Sequence, residues 1–214
     1  MIDNTVFLRF RHHVLNLIPE LTQHLNPETD LHEVISLTEK YGTKMPRELV
    51  ELLSHINGFK GEFWSGLYLG FEPLTAHDAV AHTVGLMQTI QRPEYTRENL
   101  QSSKSNPRDE VNLDFFSKEY FVFAYDGSRG YLALDYSPGP KGHAGQVITV
   151  GQVQGTRHVL SNNLYSFINV LNEGVESGLM EYSTDVGLHF KHYKESDLVF
   201  GLDHNLLSID LFRK

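Results

Sequence analysis

Histidine is the side chain here best suited to chemistry: the chain has twelve, and neutral imidazole is a common zinc and iron ligand. His189 and His192 lie three apart, and His77 and His82 lie five apart. Neither spacing is the His-x-x-x-His pair that puts two ligands on one helical face beside a glutamate base. No carboxylate completes a close-spaced triad, and the adjacent His12 and His13 would point different ways in any regular element. The histidines therefore read as surface or core residues, and no metal site is predicted. Ser65 precedes Gly66, but without the Gly-x-Ser-x-Gly elbow that exposes a nucleophile, so it reads as a turn serine. GPKGHAG at 139–145 lacks the spacing of a phosphate loop and lies between predicted strands rather than before a helix. Asp126 and Asp135 flank a predicted hairpin and form a candidate carboxylate pair. Aspartate is also the ordinary turn-former, and that is the reading preferred for both. The single tryptophan, Trp64, fits either the core or a binding anchor. No catalytic residue and no cofactor is predicted.

Composition narrows the classes further. A chain of 214 residues fits one domain, or one domain with extensions. Hydrophobic residues at 40% and aromatic residues at 11% suffice for a real core. No run approaches the ~18 consecutive apolar residues that a membrane span requires. The N-terminal MIDNTVFLRFRHHVLNLIPE places charges where a signal peptide would be apolar. A cytoplasmic protein without membrane contact is expected. The absence of cysteine removes disulfides, thiol nucleophiles and thiolate metal sites together. The net charge is −9, with 18 basic and 27 acidic residues and no basic stripe, which argues against nucleic acid as a partner. Such a balance suits a basic protein partner, attracted over a Debye length.

The elements that would position these residues are clearest at 44–59, KMPRELVELLSHINGF. Leu49, Leu52, Leu53 and Ile56 recur at helical spacing, with Glu51 on the wet face. Pro46 suits the first helical position, Gly58 a left-handed stop, and Phe59 could fold back onto Leu53. Before it, Phe7, Phe10, Val14, Leu17 and Leu21 set one helical rhythm. A second starts at Asn26-Pro27 with Leu31, Val34, Ile35 and Thr38 on one side and Gly42 ending it. After it, EFWSGLYLGF at 62–71 reads as a strand or bent hairpin broken at Gly66 and Gly70, and 74–90 returns to helical spacing that Gly85 interrupts.

The polar stretch 91–112 reads as a loop. YFVFAY at 120–125 is a strand with Phe121, Phe123 and Tyr125 on one face. DGSRG is a turn, YLALD the return strand, and QVITV a third strand, together an antiparallel meander. A fourth strand falls within 153–160, and Asn162 or Asn163 caps a helix burying Leu164, Phe167, Ile168 and Leu171. Beyond Gly178 no period is clear. The fold class expected is α+β, an antiparallel meander packed against helices.

An acidic residue and five motifs after it, in order, resemble the SUKH superfamily, named partly for yeast cell-wall-synthesis regulators of the Smi/Knr type. Glu39 stands for its acidic helix residue, Met45-Pro46 for Leu-Pro, and Asn57-Gly58 for the Asn-Gly that ends the next helix. Asp126-Gly127-Ser128, Leu134-Asp135 and Gly145-Gln146-Val147-Ile148 follow in the family's order. Arg129-Gly130 departs from the pattern, which usually has glycine and a small polar or acidic residue, and so places a cation at the turn. The resemblance implies a SUKH-like domain over 26–175, preceded by a helical leader at 1–25 and followed by an extension at 176–214. It also implies a noncatalytic binding scaffold. Many bacterial members look like immunity proteins that neutralise polymorphic toxins; fungal members look like hubs of cell-wall synthesis and signalling, usually with long disordered arms. The compact sequence favours the bacterial type, a cell-wall regulator or intracellular scaffold is the alternative, and an uncharacterised enzyme is the reading from another class. The expected partner surface joins Glu62, Trp64, Asp126 and Arg129, because these two segments combine aromatic residues, charge and an arginine.

Overall fold

The computed structural model describes residues 5–27, 30–40, 44–61, 63–91, 104–113, 116–151 and 156–191. The N-terminal rhythm makes two helices rather than one. α1 (Thr5–Leu17) buries Phe7, Phe10 and Val14, and the single turn α2 (Leu21–His24) follows. Pro19 separates them, since a proline disfavours helical geometry in the residue before it. Leu17, expected in the buried stripe, is 39% exposed, and Ile18 takes the core position.

α3 (Leu31–Lys40) starts after Asp30, whose carboxylate accepts from the His32 amide at 2.9 Å. The expected start at Asn26-Pro27 does not form, because Asn26 is spent on the loop after the next helix. Its amide donates to the Gly58 carbonyl at 3.2 Å, and its side chain to the Asn57 carbonyl at 2.9 Å. Ile35 is 47% exposed whereas Thr38 is buried. The side chains of Leu31 and Val34, together with Gly42, lie outside the described residues.

α4 (Arg47–His55) buries Leu49, Leu52 and Leu53, as their spacing requires. It is shorter than expected. Pro46 occupies the cap with extended backbone (ψ 142°) rather than the first helical turn, and Ile56 is already extended. Gly58 takes the left-handed conformation (φ +63°) two residues later, where a Cβ would come within 3.0 Å of Thr75. Phe59 pairs with Leu25 in a short antiparallel bridge, and its ring is tilted on Phe63.

The aromatic stretch after Phe63 is not a strand. Gly66, Leu69 and Gly70 all have positive φ, which breaks the pleat, and its regular pairing is the isolated bridge between Tyr68 and Phe71. β1 (Glu72–Pro73) follows, then α5 (Ala76–Ile90), capped by Thr75, whose hydroxyl accepts from the Asp78 amide at 3.1 Å. α5 runs through Gly85 unbroken. β2 (Lys104–Asn106) lies within the stretch expected to be loop, while 92–103 fall outside the described residues.

β3 (Tyr120–Tyr125), β4 (Gly130–Asp135) and β5 (Gln146–Gly151) form the predicted meander, and β6 (Thr156–Ser161) extends it. The six strands run in the order β1-β3-β4-β5-β6-β2, antiparallel except where β2 joins β6. The fold is α+β. A bulge between Val122 and Ala124 shifts the β3–β4 register, so Tyr120 pairs with Asp135 and Tyr125 with Tyr131. Tyr125 thereby moves off the face of Phe121 and onto that of Tyr120. α5 covers the β3 edge that β1 leaves open: the Val122 amide donates to Thr83 Oγ1 at 3.1 Å.

α6 (Leu164–Glu176) is capped by Asn163, whose side chain accepts from the Ser166 amide at 2.8 Å. α1 packs on α6 through shared core contacts and through Asn172, whose side chain donates to the Val6 carbonyl at 3.0 Å. Tyr68, Phe123 and Phe167 meet edge to face behind Phe10. The last described elements, β7 (Met180–Ser183) and β8 (Gly187–Phe190), form a hairpin seated on this core by Met180 and Leu188. At Gly187 the chain crosses Gly66 so closely that a Cβ would lie 2.4 Å from its carbonyl oxygen. Residues 192–214 lie outside the described set.

Candidate functional site

The β3–β4 hairpin carries a candidate site at each end. At the turn, Asp126 Oδ1 accepts from the Ser128 amide (2.8 Å), the Ser128 hydroxyl (3.0 Å) and the Gly130 amide (2.9 Å). Gly127 supplies the positive φ of +80°. Gly130 has no room for a side chain, since a Cβ would sit 2.1 Å from Asp126 Oδ2. Asp126 thus closes the turn, and Arg129 is exposed at its tip. Behind the turn, the rings of Tyr125 and Tyr131 lie 5.0 Å apart, and His82 of α5 packs on both at 5.5 and 5.4 Å. His82 Nδ1 is 3.2 Å from the Tyr131 hydroxyl. Burial holds the His82 imidazole below its usual range, against the opposing pull of Asp78. Burial, reinforced by Tyr125 and Asp126, pushes the Tyr131 phenol up.

β1 connects this turn with the Trp64 segment. Glu72 pairs with Tyr125, and its Oε2 accepts from the Ser65 amide (2.5 Å), the Ser65 hydroxyl (2.9 Å) and the Gly66 amide (2.9 Å). Burial raises the Glu72 carboxyl despite these three donors. Ser65 is therefore held as a structural donor. Trp64 is half-buried, with its ring edge over Gly66, where a Cβ would lie 2.8 Å from it. Glu62 lies outside the described residues.

At the other end Asp135 is fully buried. Its Oδ1 accepts from the Ser137 amide at 2.8 Å and its Oδ2 from Gln146 Nε2 at 2.9 Å. Gln146 Nε2 also donates to the Glu110 carbonyl at 2.9 Å, and its Oε1 accepts from the His143 amide at 3.0 Å. Beside them lies Arg157, 1% exposed, with Nη1 3.4 Å from both the Tyr120 hydroxyl and the Asn112 carbonyl. Desolvation raises the Asp135 carboxyl to about 6, with Gln146, Ser137 and Arg157 acting in the opposite direction. Asp126 and Asp135 do not form a carboxylate pair. The length of β4 separates them by roughly 17 Å.

Gln146 and its neighbours also fix the wall of a cavity of about 650 Å³, between residues 104–113 and 138–140. Across the sheet, α4 presents Glu48 and Glu51, which accept from the hydroxyls of Tyr136 and Tyr165. Glu51, expected on the wet face, is half-buried because Tyr165 and Arg47 both engage it. Among the described residues, no three potential metal-ligating side chains gather in one place. No described helix is long and apolar enough to cross a membrane.

Residues 29–170 match the profile of the SMI1 / KNR4 family (SUKH-1). This chain belongs to that family. Two curated proteins are similar to it. One is the glucan synthesis regulatory protein of Neurospora crassa, 29% identical over 84 residues, which are 39% of this chain and 16% of that protein. The other is KNR4/SMI1 homolog 2 of Debaryomyces hansenii, 31% identical over 67 residues, 31% of this chain and 11% of that protein. The chain therefore spans only a small part of either relative.

The SMI1/KNR4 motif residues divide by what they touch. Asn57 Oδ1 accepts from the Ala76 amide at 2.8 Å, tying the exit of α4 to the first turn of α5. Gly58 and Gly127 hold positive-φ turns, and so does Gly145 (φ +86°), whose amide donates to the Asp135 carbonyl at 2.7 Å. Pro46 sets the approach to α4, and Glu39 is exposed on α3. Sequence reasoning weighed His82 only as a metal ligand and did not single out Tyr131, Arg157, Glu48 or Tyr165. Each acts through a partner distant in the chain, so spacing gave no signal, although Tyr131 and Arg157 both stood within expected strands.

Proposed function

We propose that this SMI1/KNR4-family chain is a noncatalytic protein-binding module, used as an immunity protein that neutralises a toxin. The observation that carries the reading is the turn at 126–130: an exposed Arg129 at its tip, on a hairpin whose strands carry the half-buried Tyr125 and Tyr131 with His82 packed on both. Arginine and tyrosine on a pre-shaped surface are the types that dominate binding hot spots. Asp126 serves this surface by closing the turn, and β1, whose Glu72 pairs with Tyr125 and accepts from the Ser65 and Gly66 amides, brings the Trp64 segment toward the same proposed patch; Glu62, outside the described residues, is proposed for it on its charge alone. The perturbed carboxylates support a scaffold rather than a catalyst, because Asp135 and Glu72 each accept multiple hydrogen bonds within the fold. The net charge of −9 favours a basic toxin domain as the partner. The setting is cytoplasmic.

A second reading is favoured by the names of the relatives: a regulator of cell-wall assembly or an intracellular scaffold. Affinity capture from the native host, followed by mass spectrometry, separates the two. A toxin-sized basic partner, whose toxicity the chain suppresses on co-expression, supports immunity. A cell-wall synthase or signalling component replaces it with the regulator. Substrate turnover by the purified chain would overturn the noncatalytic reading altogether.

A further inference from the structure

The cavity between residues 104–113 and 138–140 has no part in the turn surface. We propose that it binds a small organic anion, with the anionic group at Lys104 and Arg108 and an apolar body against Val111, Leu113, Pro138 and Pro140.

Its volume of about 650 Å³ falls in the range of small-molecule pockets. Its charge runs against that of the whole chain. Lys104 and Arg108 line it, and Lys141 stands beside it, in a protein of net charge −9. Among the described residues the single lining carboxylate, Asp109, is bridged by Lys141 at 3.2 Å and Arg108 at 3.8 Å. Among the described residues, no carboxylate lies within ion-pair distance of Lys104. Counted over the described residues, the mouth therefore has cationic groups in excess over one paired anion.

The walls are already assembled. The Glu110 carbonyl accepts from the Gly139 amide (2.9 Å) and Gln146 Nε2 (2.9 Å), and the Lys141 amide donates to the Asp109 carbonyl (3.0 Å). A Cβ at Gly139 would lie 2.4 Å from the Asp109 carbonyl oxygen, so the two segments approach as closely as glycine permits. On the other side, Ser105 Oγ accepts from the Val111 amide at 3.0 Å and donates to the Pro107 carbonyl. A pocket fixed by buried bonds and two prolines pays little ordering entropy when a ligand enters. Asp135 and Gln146, motif residues of the fold, thereby hold a ligand wall in place as well as the strand ends.

The test is titration of the full chain with phenyl phosphate, inorganic phosphate and benzylamine, followed by amide NMR shifts. Phenyl phosphate should give saturable shifts in residues 104–113 and 138–142 and bind about tenfold more tightly than inorganic phosphate, through its apolar ring. Binding should weaken between about 50 and about 300 mM salt. It should be lost in Lys104→Glu/Arg108→Glu, and weakened in Lys104→Ala should the double variant not fold. Benzylamine should not compete. Absence of saturable shifts, equal binding of benzylamine, or phosphate binding that the charge changes leave intact would overturn the proposal. Inorganic phosphate binding as tightly as phenyl phosphate would overturn the apolar half of it.

Discussion

The two aspartates at the ends of the β3–β4 hairpin do different work with the same side chain. Asp126 satisfies one oxygen within its own turn, drawing donors no more than four residues away, and leaves a surface that solvent and partners can reach. Asp135 is sealed, and through Gln146 it joins a carbonyl at Glu110. Local closure makes a rigid surface at little cost. Long-range closure makes the scaffold cooperative but places a carboxylate where desolvation opposes its charge. The motif residues of this chain thus split into an exposed end, which the proposed binding role makes the presenting one, and a buried supporting end.

The strongest way to break that division is Gln146→Ala. It removes the donor to Asp135 Oδ2, one of the two donors to the Glu110 carbonyl and the acceptor of the His143 amide, and should cost about 2–3 kcal/mol in urea unfolding. A loss below about 1 kcal/mol would mean that the buried end is not supporting the fold.

The pH dependence sharpens the contrast. Folding raises the Asp135 carboxyl from 3.8 to about 6, so the folded state binds its proton more tightly. Its contribution to stability is full below the unfolded value and is lost as pH rises through about 6. The shift corresponds to about 2–3 kcal/mol between those limits. Asp135→Asn should remove that part of the pH profile, which Asp126→Asn should leave in place. Identical profiles for the wild type and Asp135→Asn would contradict the account. At the turn end the effect is smallest: Asp126→Ala should cost about 1 kcal/mol, as loss of a capping side chain does, read as a modest fall in melting temperature.

The presenting end was legible in the sequence and the supporting end was not. Asp-Gly-Ser announces its turn because every bond it makes is local. The apolar face of α4 was likewise legible from Leu49, Leu52 and Leu53, since helical spacing is a local pattern. Asp135 and Gln146 could be quoted as motif residues, but the partner at Glu110 is 36 residues from Gln146, and Tyr120 is 37 from Arg157. His82 reaches Tyr131 across 49 residues and a different element. β2 was read as loop because Lys-Ser-Asn has little strand propensity, and its strand geometry comes from pairing with β6. The aromatic stretch after Phe63 was legible in part: the breaks at Gly66 and Gly70 and the bent form are seen, with Tyr68 bridging Phe71, but a strand is not. Its strand-like composition was overridden by three positive-φ residues that let it cross β8.

The central claim is that the partner docks on the presenting end, and one binding experiment tests it. Arg129→Ala and His143→Ala should be compared against the captured partner by calorimetry, with melting temperatures measured alongside. His143 is exposed at the supporting end, where its amide rather than its ring holds Gln146. The account predicts that Arg129→Ala remains folded but weakens binding by about tenfold or more, the scale of a hot-spot loss, while His143→Ala binds as the wild type does. Unchanged affinity in Arg129→Ala, or a larger loss in His143→Ala, would contradict it.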